Sequence, residues 1–134
     1  MHEGQVLPEL RKSVTQDQIS RYARVSGDAN PIHLDPKLAA RSSFGRIVAH
    51  GMLVLAFLSE MLTQAFGQSW LESGRLKVRF RAPVYPGEEL VTSGRVTRVV
   101  TEEGGERIQC LVECRKVEGR EVITGEASVV IADR

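Results

Sequence analysis

An aspartate and a histidine five residues apart, Asp28 and His33, lie in the run Ser26-Gly27-Asp28-Ala29-Asn30-Pro31-Ile32-His33, the densest concentration of unusual residues in the chain. An imidazole titrates close to neutral pH, and burial can tune a carboxylate upward. Such a pair is equipped to hold one water and move a proton in either direction. Asn30 and Pro31 would fix the geometry of the turn that carries it. A plainer reading stands beside this one. Asp and Asn in turns usually bond their own backbone, and a single His is usually just a polar side chain. Residue types alone leave both open.

A second feature lies further along, at Ala49-His50-Gly51-Met52, where a long apolar segment begins. If that segment is a helix, its first N–H groups point outward with the positive end of the dipole. A carbonyl placed there would be polarised as in an oxyanion hole. Gly51 would let a ligand approach the backbone, although a glycine that merely starts a helix looks the same.

The elements that must position these residues follow from local pattern. Thr15 with Gln18 three places on has the form of a capping box, and Ile19, Tyr22, Ala23 and Val25 continue at helical spacing, predicting a helix to about Ser26. Residues 27–49 are turn-rich, with Pro36 placed to open one helical turn and Gly45 to break it, a loop long enough to suspect of function. From Gly51 to Phe66 the chain is apolar nearly all the way round and ends at Gly67, so this helix must be wrapped by other structure. Strand-like segments near 70–81, 88–100, 105–117 and 120–132, separated by glycine-containing turns, supply the wrapper, with another strand near Val6 to Val14. The order implies an α+β chain of one domain, residues 1–134: an antiparallel sheet curled round one apolar helix, the hot-dog arrangement.

Composition narrows the class. The 134 residues are 42% hydrophobic and 26% charged, ordinary for a folded protein. A formal charge of +1 gives no field to gather nucleic acid or anionic membranes. The start, MHEGQVLPEL, lacks the basic flank and apolar stretch of a signal peptide, and Ser59 and Glu60 break the longest apolar segment, so the expectation is a cytosolic protein. Cys110 and Cys114 on one strand would be roughly 13 Å apart, too far for a disulfide, and share the parity of Ile108 and Val112 as two buried thiols.

The run YARVSGDANPIHLDPKLAA, followed after a short loop by IVAHGMLVLAFLSEML, closely resembles the MaoC-like (R)-specific enoyl-CoA hydratases. The similarity is strongest from Tyr22 to Leu62. FRAPVYPGEEL and the overall length also agree with a member built from one hot-dog unit. The resemblance implies that Asp28 and His33 are catalytic, that Asn30 helps orient the site, and that the Gly51 amide binds a thioester oxygen. It implies water added reversibly across a 2-enoyl thioester, with no metal or redox cofactor, in a homodimer with its sites near the interface. Ser59 falls where some members carry an active-site serine. Its other reading is a helix-interior hydroxyl bonded to the backbone one turn earlier.

Arg75, Lys77, Arg79 and Arg81 alternate with Leu76, Val78 and Phe80, so one face of this strand is basic and the other apolar. The basic face reads either as the solvated side of a sheet or as contacts for coenzyme A phosphates or an acidic acyl carrier protein. Met52, Leu55, Phe57 and Met61 read as core first and acyl tunnel second. Three alternatives stay open: a 3-hydroxyacyl dehydratase acting on carrier-bound chains, a non-catalytic hot-dog subunit of a heterodimer, and a thioesterase using Glu60.

Overall fold

Alternation with period two builds the second half of the molecule. Along β4 (Gly105–Lys116), Ile108, Cys110, Val112 and Cys114 are buried on one face, while Leu111 on the other is exposed. The computed structural model describes residues 1–133. Within it β4 lies between β3 (Glu89–Glu102) and β5 (Glu121–Ala132); β1 (Leu10–Ser13) joins the free side of β3, and β2 (Arg75–Phe80) joins that of β5. All pairs are antiparallel, in the order β1-β3-β4-β5-β2.

The helices begin where local signals place them. At the start of α1 (Gln16–Ser26), the Gln18 N–H donates to Thr15 Oγ1 at 3.2 Å and the Thr15 N–H to Gln18 Oε1 at 3.0 Å. The helix stops at Gly27, whose φ of 81° suits a residue without a Cβ. α2 (Pro36–Arg41) is the short helix expected at Pro36, capped by Asp35. α3 (Gly51–Phe66) buries Val54, Phe57, Leu58, Met61, Leu62 and Phe66 against the inner face of the sheet. Each such side chain contributes about 1.5–3 kcal/mol. Gly94 on β3 allows that contact to be close: a Cβ there would lie 2.8 Å from Leu7 and 3.2 Å from Met61. A curved sheet around one apolar helix is the hot-dog arrangement expected.

Two segments differ from expectation. The strand expected over 70–81 starts only at Arg75, because Gln68–Ser73 forms a helix, α4. Burial of the Trp70 ring and a bond from its indole N–H to Ser59 Oγ at 3.3 Å favour the helix, and the Ser73 hydroxyl accepts the Val130 N–H at 2.9 Å. The strand expected from Val6 to Val14 is reduced to Leu10–Ser13 plus a bridge from Val6 to Arg95. Pro8, which has no N–H to give, falls between the two.

Cys110 and Cys114 are free and buried, and burial pushes the thiols up to about 11 and about 12. Among the described residues no helix is long and apolar enough to cross a membrane.

Candidate functional site

Gly27 ends α1 in a left-handed conformation and turns the chain into a stack of side-chain-to-backbone bonds. The Asp28 N–H donates to Ser26 Oγ at 3.1 Å, the Asn30 N–H to Asp28 Oδ1 at 3.3 Å, and the Ile32 N–H to Asn30 Oδ1 at 3.2 Å. Asp28 and Asn30 therefore do the turn-forming work of the plainer reading. That work sets where Pro31–His33, a single 3-10 turn, begins. Asp28 itself remains exposed.

His33 is driven inward by this turn and is 7% exposed. Its Nδ1 lies 2.6 Å from the Val48 carbonyl oxygen. A carbonyl can only accept, so Nδ1 carries a proton, and in the neutral ring Nε2 keeps the lone pair. Across the site, His50 is buried just ahead of Gly51, with Nε2 2.9 Å from the Asp28 carbonyl oxygen. The rings of His33 and His50 stack with centroids 3.8 Å apart and planes 26° from parallel. The Asp28 carboxylate and one ring nitrogen from each histidine gather within 4.8 Å of one another.

That donor set has the residue types of a metal site. Imidazole lone pairs, however, lie in the plane of the ring. Two nearly parallel rings stacked face to face cannot both aim a lone pair at one ion about 2.0–2.1 Å away. The arrangement suits proton transfer at Asp28 and His33 better than ligation.

Gly51 is the first residue of α3 and is exposed. The N–H groups of Leu53 and Val54 both donate to the His50 carbonyl, and Gly51, as the first helical residue, has an N–H that no carbonyl of its own helix can accept. A Cβ at this position would lie 3.1 Å from the Phe80 ring. Glycine thus leaves room for Phe80 and for close approach to the amide.

The remaining sequence candidates stand elsewhere. The Ser59 hydroxyl accepts the Trp70 indole N–H, a partner neither of its readings anticipated, and Ser59 is about 12 Å along the helix axis from Gly51. Arg75, Lys77 and Arg79 are exposed on the edge strand β2 and Arg81 just past its end, where the Arg81 guanidinium donates to Thr124 Oγ1 at 3.0 Å. Three of them line a groove of about 690 Å³ on the outer face of the sheet, shared with Glu113, Glu121 and Glu126. Glu60 of the thioesterase reading forms an ion pair with Lys12.

The residue sequence reasoning missed is His50. The signal available was its position: the residue preceding a long helix is usually Ser, Thr, Asp or Asn, and an imidazole there is unusual.

Residues 1–121 match the family model described as a MaoC like domain. The chain is 32% identical over 133 residues to the (R)-specific enoyl-CoA hydratase of Rhodospirillum rubrum, covering 98% of this chain and 89% of that one. It is 34% identical over 131 residues to a mitochondrial 3-hydroxyacyl-[acyl-carrier-protein] dehydratase of Arabidopsis thaliana, covering 96% and 76%. Against the mouse peroxisomal multifunctional enzyme type 2, 37% identity over 84 residues covers 62% of this chain but 11% of that protein. The solved (R)-hydratase from A. caviae involved in PHA biosynthesis superposes with a TM-score of 0.81 at 29% identity, covering 96% of each chain.

Proposed function

From the premise that this chain belongs to the MaoC-like hydratases and dehydratases, a family of hydro-lyases, we propose that it hydrates trans-2-enoyl-CoA reversibly to (3R)-hydroxyacyl-CoA. The observation that carries the reading is the convergence of the Asp28 carboxylate and the His33 ring within 4.8 Å of one another, together with the helix-start amide of Gly51.

Asp28 and His33 hold a water between them. Its oxygen bonds C3 of the enoyl chain as one of its protons passes to the pair, and a proton is delivered to C2. The net result is H and OH added across the double bond, and dehydration runs the same steps backward. His33 is suited to accept because Nδ1 is committed to the Val48 carbonyl and Nε2 is free. The Gly51 N–H receives the thioester oxygen as enolate charge develops on it, a contribution of about 3 kcal/mol. Asn30 acts on the site by holding the turn before His33.

The test follows the enoyl-thioester absorbance with crotonyl-CoA and a longer enoyl-CoA, for the wild type, Asp28→Asn and His33→Ala, with the product's configuration resolved. A (3R) product and two nearly dead variants are expected. A (3S) product, or variants as fast as the wild type, would sink the assignment.

The exposed basic residues along β2 and just past its end favour a second reading, in which the acyl chain arrives on an acidic carrier protein that docks against Arg79 and Arg81. Carrier-linked substrate would then turn over faster than the CoA thioester, with a salt-sensitive advantage that Arg79→Glu/Arg81→Glu removes. As an edge strand, β2 would also pair with a second copy of the chain to form a homodimer with a continuous sheet.

A further inference from the structure

His50 occupies the position that ordinarily caps a helix, yet its side chain makes no cap to α3. The ring turns the other way. Its Nε2–H donates to the main-chain carbonyl of Asp28, 22 residues earlier, at 2.9 Å. One face lies on His33 at 3.8 Å, and the ring of Tyr22 sits 4.8 Å away at 55°. The residue is 2% exposed, and its Nδ1 is buried without a hydrogen-bond partner among the described residues. Burying an unpartnered nitrogen is unfavourable, so the ring's other contacts must hold it in place. Nδ1 is closed to solvent, which leaves it no direct part in moving a proton to or from a bound molecule.

The hydrogen bonds that shape Gly27–Asn30 are otherwise local. Gly27 bonds Ala23, Asp28 bonds Ser26, and Asn30 bonds Asp28. The His50 bond is the long-range hydrogen bond that ties this exposed turn to the helix carrying Gly51. We propose that His50 is the positioning residue of the site. Its N–H locates the Asp28 main chain, and its face sets the rotation of the His33 ring. One side chain thus ties carboxylate and imidazole to the start of the helix that carries Gly51. The effect on rate rests on the hydration reading, whereas the effect on the order of the turn does not.

Two substitutions separate the parts of this role. His50→Gln can place an amide N–H near the position of Nε2, restoring the donor without the ring. His50→Phe keeps a flat ring against His33 and removes the donor. Backbone 15N relaxation at Asp28, Ala29 and Asn30 reads the turn with no substrate present. Order parameters of about 0.85 are expected for the wild type and His50→Gln, and below about 0.6 for His50→Phe. With crotonyl-CoA, His50→Phe should lose kcat by about 30- to 100-fold with KM nearly unchanged, and His50→Gln should recover only part of it, the remaining loss being the ring's contact with His33. A His50→Phe protein with a rigid turn and wild-type kcat overturns the proposal, as does a folded His50→Gln protein with a disordered turn. If His50→Phe fails to fold, His50→Leu takes its place, and a turn as rigid as that of the wild type overturns the proposal. If the wild type is inert toward enoyl thioesters, the hydration reading fails, and the relaxation data still decide whether His50 positions the turn.

Discussion

Between Gly27 and His50 the chain forms only a 3-10 turn and one six-residue helix, whereas between Glu89 and Ala132 it forms three strands of 12 to 14 residues. Ladder bonds repeated along β3, β4 and β5 secure the sheet, and side chains buried on one face back it with apolar area. The loop is secured by single bonds: Asp28 to Asn30, Asn30 to Ile32, His33 to Val48, His50 to Asp28. Many small equivalent contacts tolerate the loss of one polar group. A handful of unlike contacts, each placing a different side chain, do not. The difference teaches that rate and stability should respond to different parts of this molecule.

The largest effect that would sharpen the contrast is on rate. Asp28→Asn and His33→Ala should each lower kcat/KM about 10²- to 10⁴-fold. Thermal unfolding of Asp28→Asn should stay close to that of the wild type, since Asp28 is exposed. A large loss of melting temperature there would break the division. The mirror image is Leu58→Ala, at a position 0% exposed, expected to lower stability by about 2–5 kcal/mol in urea titrations while leaving kcat per folded molecule unchanged.

Gly51→Ala tests the boundary between the regions, because its methyl would press on the Phe80 ring beside the amide. A drop in kcat of about tenfold is expected from misplacement alone, with a smaller drop when Phe80→Leu is added. The smallest effect belongs to the sheet. The thiols of Cys110 and Cys114 titrate at about 11 and about 12 when folded, above the ordinary 9.0. Between those values the native state binds more protons than the unfolded one, so stability should be unaffected below pH 9 and fall as pH rises through the window. The loss is about 1 kcal/mol per thiol at pH 10, and Cys110→Ala/Cys114→Ala should flatten the profile in denaturant titrations.

Much of the architecture was legible because its causes are local. The capping box at Thr15, the glycine after Ser26 and the apolar run from Gly51 each act within a few residues, and the helices begin and end there. The strands after Glu89 show themselves by alternation. Residues 68–73 were misread because burial of Trp70 and its bond to Ser59 favour a helix that short-range spacing does not announce. Pro8, by contrast, is a local signal, and it explains why the first strand is short. In the site, Asp28, Asn30 and His33 belong to one turn and were visible together. His50 was not, since its partner lies 22 residues away.

The sequence by itself determined the order of elements, the helix ends, the inward face of each long strand and the turn that carries Asp28 and His33. Those properties rest on periodicity and on bonds between near neighbours. Tertiary structure alone decided which His33 nitrogen keeps its proton, where His50 points, what bonds the Ser59 hydroxyl, and that Phe80 lies against Gly51. Each of these depends on groups far apart in the chain that meet only when the sheet closes around its helix.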